Sequence, residues 1–110
     1  MARRPLKAYR QGEPINIEYK IYDELKRIRR PLDPSGGVRL SLFRPDGVLV
    51  LDKVPMAQIV EDGQALTGLY RYVYDSEADD MLGWWQVEVE ASHGGSVGVS
   101  AREAIFALEA

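Results

Sequence analysis

Two runs in the second half of the chain alternate apolar and polar side chains with a period of two. One spans residues 68–74 and carries tyrosines at alternate positions; the other spans residues 83–91, where Trp84 and Trp85 take opposite parities. Successive side chains of a β-strand point to opposite faces of a sheet, so such alternation is typical of half-buried strands. Aromatic and β-branched residues, which dominate both runs, fit a pleated surface well. We therefore expect both runs to be central strands of a β-sandwich.

Five further runs of the same kind are separated by residues that favour turns. They lie at about residues 15–21, 38–43, 48–52, 54–60 and 97–108. Seven short strands with turn signals between them predict an all-β fold, a seven-stranded antiparallel sandwich of two sheets. In the last run the apolar positions change parity, which predicts a β-bulge or a break near Arg102 and Glu103.

Several short motifs carry a resemblance to a known fold family. They are the Pro-Asp-Gly hairpin at residues 44–47, the glycine-aromatic strand starts at residues 68–70 and 83–85, and the closing pair Ile105 and Phe106. In this order they resemble bacterial immunoglobulin-like domains of the macroglobulin type, over about residues 11–109. The resemblance implies an immunoglobulin-like topology and a tyrosine corner, in which the Tyr70 hydroxyl bonds to nearby backbone. Such domains serve as spacers, adhesion modules, carbohydrate-associated modules and virion components.

The chain has 110 residues, which is the size of one domain. We expect residues 1–12 to form a basic N-terminal arm and residues 13–110 to form a single immunoglobulin-like sandwich domain. Residues 23–30 leave two alternatives open. Leu25 and Ile28 are spaced as in a helical turn, but the segment is short and fits an extended connection equally well.

The supply of chemically reactive side chains is small. The chain has no cysteine and one histidine, His93, which lies beside two glycines and is expected to be an exposed turn residue. A Ser-His-Asp triad, a thiolate zinc site and a cysteine nucleophile therefore lack their parts. We expect no enzyme activity and no cofactor.

An acidic segment between the two central runs suggests one kind of ion site. Its carboxylates belong to Asp75, Glu77, Asp79 and Asp80, and such oxygens are the ligands that calcium prefers. The segment departs from an EF-hand loop, because Asp80 stands where that loop needs glycine and Gln86 where it has its bidentate glutamate. The alternative is a solvated acidic loop.

Basic residues are concentrated in the first 30 positions, which have nine Lys or Arg against four Asp or Glu. The basic positions considered for an interaction surface are Arg3, Arg4, Lys7, Arg10, Lys26, Arg27, Arg29 and Arg30. They would suit an acidic protein face or a second copy of the chain. Nucleic acid is an unlikely partner, because few aromatic residues accompany these charges and the sequence pI is near 5.1.

Trp84 is the sharpest candidate for a contact residue. Alternation assigns Trp85 to the core and Trp84 to the opposite face, where we expect it beside Leu69 or Val73 of an adjacent strand. An outward tryptophan suits a protein partner or a sugar ring. The alternative is that an arm or loop of the same chain covers it.

Together these features favour a non-catalytic structural or interaction protein, an immunoglobulin-like subunit of a larger assembly such as a virion head or tail. The partner would be protein, either the chain itself or a larger assembly. The alternative is a module that recognises carbohydrate or protein and is detached from a longer chain. The polar N-terminal residues do not resemble a signal peptide. We expect a soluble protein that is cytoplasmic at synthesis or virion-associated, with no membrane partner.

Overall fold

The chain forms strands and connecting turns throughout the part that the computed structural model describes, residues 7–25 and 28–110, with backbone alone described between residues 23 and 29. Eleven strands occur in this part. They are β1 (Lys7–Arg10), β2 (Pro14–Lys20), β3 (Tyr22–Leu25), β4 (Ile28–Pro31), β5 (Val38–Phe43), β6 (Leu49–Pro55), β7 (Ala57–Glu61), β8 (Gln64–Asp75), β9 (Gly83–His93), β10 (Ser96–Val99) and β11 (Glu103–Glu109).

Two main sheets contain nine of these strands. One has the order β1-β11-β9-β5-β6, with β10 also paired to β9, and the other has the order β2-β8-β7. The remaining two strands, β3 and β4, pair only with each other. The all-β, two-sheet prediction is confirmed, but the number of strands is wrong. Alternation did not resolve short strands such as β1, β3, β4 and β10, which have four residues each.

The core lies between the two main sheets. Its largest fully buried side chains belong to Trp85, Phe106, Ile15, Ile17, Leu40, Leu42, Leu108 and Val87. The Trp85 ring stacks on Phe106, with ring centroids 5.7 Å apart. Tyr70 is buried, and Tyr72 and Tyr74 pack against the same cluster. The period-two alternation therefore identified the inward faces of β8 and β9 correctly.

Irregularities in the last strands match the change of parity in the sequence. The chain leaves the ladder between Val99, the end of β10, and Glu103, the start of β11. A register shift follows between Ala104 and Phe106. Val97 and Val99, before these irregularities, are 60% exposed, whereas Phe106 and Leu108, after them, are buried. The break near Arg102 and Glu103 is therefore confirmed, but the apolar residues before it do not face the core.

The segment with two open alternatives is a hairpin. β3 pairs antiparallel with β4, so that Tyr22 lies opposite Pro31 and Asp23 opposite Arg30. The extended interpretation of residues 23–30 is thus the correct one for the described backbone. Lys26 and Arg27 lie outside the described residues.

The first strand departs from the expected antiparallel arrangement. Lys7–Arg10, within the segment expected to be an arm, form β1 and pair in parallel with residues 106–109 of β11. Residues 1–6 lie outside the described part of the chain. In the described part no helix is long and apolar enough to cross a membrane.

Candidate functional site

The outward face of the six-stranded sheet carries the exposed tryptophan. Trp84 is 50% exposed, whereas its neighbour Trp85 is fully buried. In the ladder Trp84 lies opposite Ala107 of β11, and Ala107 lies opposite Ala8 of β1. Partners in a ladder share a face, so small side chains flank the indole and leave it prominent. We refer to Trp84, Ala107 and Ala8, with Phe43 and Arg102 described next, as the tryptophan face.

A second aromatic ring on this face is covered by its own chain. Phe43 lies opposite Gln86 in the ladder and is 8% exposed. The Arg102 guanidinium sits 3.6 Å from the centre of the Phe43 ring, and its Nε bonds to Glu88 Oε1 at 3.2 Å. This cation–π contact leaves Trp84 as the uncovered ring of the pair.

The predicted neighbours of Trp84 are wrong. Leu69 and Val73 belong to β8, which lies in the three-stranded sheet, whereas Trp84 belongs to β9 in the six-stranded sheet. Alternation gives the face of a residue within its own strand but not the strand that lies next to it. The structure also leaves Trp84 half exposed, which fits the contact interpretation better than cover by the described part of the chain.

The basic positions that the structure describes lie on two separate pieces of the fold. Lys7 and Arg10 are exposed on β1, whereas Arg30 is exposed on β4 in the separate hairpin. The backbone of Arg29 also lies in β4, opposite Glu24. Arg3, Arg4, Lys26 and Arg27 are outside the described part. Of the described basic side chains, Lys7 belongs to a cleft considered below.

The acidic segment is organised by one of its own carboxylates. Asp80 Oδ2 accepts hydrogen bonds from the Tyr74 hydroxyl at 2.7 Å and from the Glu77 backbone N–H at 2.8 Å. Burial and this bond raise the pKa of the Tyr74 phenol well above its ordinary value. Asp75, Glu77 and Asp79 are exposed. Among the side chains that the structure describes, which exclude residues 1–6 and 23–29, no three acidic or histidine groups gather in an arrangement that could hold a metal ion.

The single histidine joins two turns. His93 Nδ1 accepts a hydrogen bond from the Ser35 backbone N–H at 3.1 Å, and Ser35 Oγ accepts one from the Gly94 backbone N–H at 3.2 Å. His93 is exposed at the end of β9, as expected for a turn residue. Its contacts connect the segment before β5 to the β9–β10 turn.

The tyrosine corner differs from the form that the resemblance implies. The Tyr70 hydroxyl donates to Asp33 Oδ1 at 3.2 Å, a side-chain oxygen rather than a backbone one. The same oxygen accepts from the Gly68 backbone N–H at 2.7 Å and from Gln58 Nε2 at 2.9 Å. These hydrogen bonds, led by that of Gly68, lower the pKa of the Asp33 carboxyl. The sequence showed Asp33 only as part of a turn, because its partners are distant along the chain.

A cleft between β1 and β2 was not foreseen. Its volume is about 320 Å³, and its lining includes Lys7, Tyr9, Asn16, Glu18, Lys20 and Phe106. We call it the β1–β2 cleft. The alternation Asn16, Glu18, Lys20 marks one polar wall of it in the sequence. The other wall depends on the parallel pairing of β1 with β11, for which the sequence has no local signal.

Comparison of the chain with protein-family models, with curated proteins and with solved structures finds no match to any of them.

Proposed function

We propose that the protein is a non-catalytic, immunoglobulin-like subunit of a protein assembly, and that it contacts its neighbour through the tryptophan face. The observation that carries this proposal is the 50% exposure of Trp84 on the outward face of the six-stranded sheet, where Arg102 already covers the Phe43 ring. A large exposed indole with small flanking residues is typical of an interface anchor, since tryptophan is enriched among residues that dominate binding energy.

The strand order supports the immunoglobulin-like part of the proposal. In that fold one sheet contains strands B, E and D and the other contains C, F and G, with C′ beside C in the variable type. The orders β2-β8-β7 and β11-β9-β5-β6 match B-E-D and G-F-C-C′. Additions to this pattern are the β3–β4 hairpin, the short strand β10, and β1 on the edge of the larger sheet.

The charges around the tryptophan face support a contact surface with a polar rim. On the same outward face, Arg102 pairs with Glu88 at 3.2 Å and Arg39 with Glu90 at 3.8 Å. A protein interface commonly has an apolar centre and a polar, solvent-accessible rim. Here the apolar part lies at the Trp84 end of β9 and the ion pairs lie further along the strand.

The test combines mass with fluorescence. Light scattering on a sizing column, at two salt concentrations, gives the mass of the particle as protein concentration rises. The difference in emission between wild type and Trp84→Phe isolates Trp84, because the other tryptophan, Trp85, is buried. We expect a mass above that of the monomer and a shift of Trp84 emission to shorter wavelength as the indole leaves water.

Matched variants complete the test. Trp84→Ser should lower the mass, whereas Val73→Ser, a residue 49% exposed on the other sheet, should not. An assembly that forms equally well with Trp84→Ser, or without any change in Trp84 emission, contradicts the tryptophan face as the contact. A monomer at every concentration favours the alternative of a ligand-binding module, which would show saturable binding that requires Trp84. The virion role stays a prediction from fold analogy.

A further inference from the structure

In the described part of the chain both main sheets end on the same side of the sandwich, which we call the open side. β1 is the last strand of the six-stranded sheet and β2 is the last strand of the three-stranded sheet. The β1–β2 cleft, about 320 Å³, lies between them. Edge strands present backbone N–H and C=O groups that no neighbouring strand pairs, so such a side is suited to another segment of chain.

Positive charge dominates the cleft. Lys7 contributes an ammonium group from β1 and Lys20 contributes one from β2. The carboxylate between them, Glu18, is engaged by Arg71 at 3.0 Å, and this bond lowers the pKa of Glu18. Among the described lining residues, two cationic groups thus accompany one carboxylate that Arg71 already engages, and the local excess of positive charge favours an anionic occupant.

The cleft also contains an acceptor that lacks a donor. Among the described residues, Asn16 Oδ1 is the buried side-chain oxygen that has no hydrogen-bond partner. The Asn16 amide nitrogen donates to Glu18 Oε1 at 3.1 Å, which fixes the orientation of the side chain. This oxygen has almost no exposed surface, so an occupant of the cleft does not reach it without a movement of the side chain. The charges therefore define the occupant, and an acidic peptide segment supplies the matching carboxylates.

The chain carries such a segment at the far end of the same open side. The acidic loop, residues 75–80, is held against the turn that joins β1 to β2. Ser76 donates to the Glu13 carbonyl through its backbone N–H and its hydroxyl, and Gln11 Nε2 donates to the Asp80 carbonyl. Lys7 and Lys20 lie at the other ends of β1 and β2. The seven residues of β2 separate the two charged regions by roughly 20 Å.

We propose that two copies of this chain pair through their open sides about a two-fold axis, with the acidic loop of each copy seated at the β1–β2 cleft of the other. In a two-fold interface, residue i of one copy contacts residue j of its partner and j contacts i. Because the positive and negative regions lie at opposite ends of one side, antiparallel docking joins opposite charges at both ends. This inference rests on the proposed assembly function and names its partner as a second copy.

The experiment exchanges the charges. Variant A carries Lys7→Glu and Lys20→Glu; variant B carries Glu77→Lys and Asp79→Lys, and all four residues are exposed. We expect wild type to pair through this contact at low salt and the pairing to weaken as salt rises, because exposed charges are screened. Each variant alone should lose this contact, with at least a tenfold loss of its affinity when the comparison is made with Trp84→Ser in every chain. An equimolar mixture of A and B should form a dimer again, since every contact then joins opposite charges.

Several results would overturn the inference. They are a wild type that is monomeric at low salt, variants that dimerise like wild type, a mixture that stays monomeric, or chains longer than a dimer that form by the same contacts. Thermal unfolding of A and B checks that both fold. Trp84 separates this inference from the proposed function: a salt-sensitive dimer with unchanged Trp84 emission supports the open side and contradicts the tryptophan face. If the shift of Trp84 emission persists in variants A and B, the tryptophan face is supported as a contact and the open side is contradicted.

Discussion

Two tyrosines of β8 make the same hydrogen-bonding arrangement for different purposes. Near the middle of the strand the Tyr70 hydroxyl donates to Asp33, and near its C-terminal end the Tyr74 hydroxyl donates to Asp80. We call these two regions the Asp33 end and the Asp80 end of the sandwich. Each carboxylate also accepts a backbone N–H, at 2.7 Å and 2.8 Å respectively. Each aspartate thus fixes an inward tyrosine and a piece of backbone at once.

The difference lies in how far apart the partners are in the chain. Asp80 bonds to residues three and six positions away, so it shapes the local turn after β8. Asp33 bonds to residues 35 and 37 positions away, on β8, and also to Gln58 on β7. It therefore attaches the β4–β5 connection to the three-stranded sheet. Long-range polar bonds close the sandwich at the Asp33 end.

Aromatic packing takes that role at the Asp80 end. Tyr74 contacts Trp85 with ring centroids 5.7 Å apart, Trp85 stacks on Phe106, and Tyr9 meets Phe106 edge-on at 6.1 Å. Trp85 Nε1 donates to the Met81 carbonyl at 2.9 Å, which ties the loop after β8 to this stack. The rings come from both sheets, so burial of apolar surface holds this end together.

The largest effect should come from breaking the aromatic end. Trp85→Ala removes the central ring of the stack and should cost about 3–5 kcal/mol of unfolding free energy, out of a total of about 5–15 kcal/mol for a domain. Trp84→Ala is the matched control and should cost less, because half of its side chain is already exposed to solvent. Chemical denaturation measures both. Equal losses of unfolding free energy for the two variants would mean that the aromatic stack does not stabilise the Asp80 end of the sandwich.

The next effect tests the close packing of backbone at the Asp33 end. Gly68 has φ +77°, and a Cβ there would lie 2.7 Å from the Ile21 carbonyl oxygen. Gly63 has φ +76° with open space around the same position. Alanine at either site should cost about 1–3 kcal/mol from the strained φ, and Gly68→Ala should cost more because it also displaces backbone. Indistinguishable unfolding midpoints for the two variants would contradict a packing role for Gly68.

The sequence predicted what depends on neighbours in the chain. The inward faces of β8 and β9, the burial of Trp85, the exposure of Trp84 and the irregularity before Phe106 all follow from alternation within one strand. The strand neighbours of Trp84 and the parallel pairing of β1 do not, because they depend on the order of strands in the sheets. The short strands were missed because an alternation over four residues is too short to be recognised in the sequence.

The polar contacts show the same limit. The Asp80 turn lies within six residues and belongs to a segment that the sequence singled out, although for its charge rather than for its bond to Tyr74. Asp33 stands in a stretch rich in proline and glycine, and its partners 25 to 37 residues away give it no local pattern. The sequence does not predict the β1–β2 cleft for the same reason, because the walls of the cleft belong to different sheets.

A smaller loss of stability should show whether one or all three of the hydrogen bonds to Asp33 matter. Tyr70→Phe removes a single donor and should cost about 0.5–1.5 kcal/mol. Asp33→Ala removes an acceptor from three donors, those of Gly68, Gln58 and Tyr70, and should lower the thermal midpoint further, although Gln58 Nε2 keeps its bond to the Leu66 carbonyl. Differential scanning calorimetry of the two variants and their combination measures the order. If Asp33→Ala lowers the thermal midpoint no more than Tyr70→Phe does, then only the hydrogen bond of the tyrosine contributes to stability at this end.

The smallest effect is a dependence on acid that is specific to the Asp33 end. The Gly68 backbone N–H, followed by Gln58 and Tyr70, lowers the pKa of Asp33 from its ordinary value of 3.8 in the folded chain. The unfolded chain therefore takes up this proton at a higher pH than the folded chain does, and the stabilisation is fully present above about pH 4. This stabilisation should decline as pH falls below 3.8 and through the lowered pKa that Asp33 has in the folded chain.

The variant Asp33→Asn tests this dependence, because it keeps an acceptor oxygen but cannot ionise. Wild type should be more stable than this variant near pH 6 and should lose its advantage near pH 2. Thermal midpoints measured across this range for both proteins test the sign. If the two thermal midpoints differ by the same amount at all pH values, then the charge of Asp33 does not contribute to the stability. The three donors would then need only an acceptor oxygen at this position, and the two ends of the sandwich would differ in the geometry of their contacts alone.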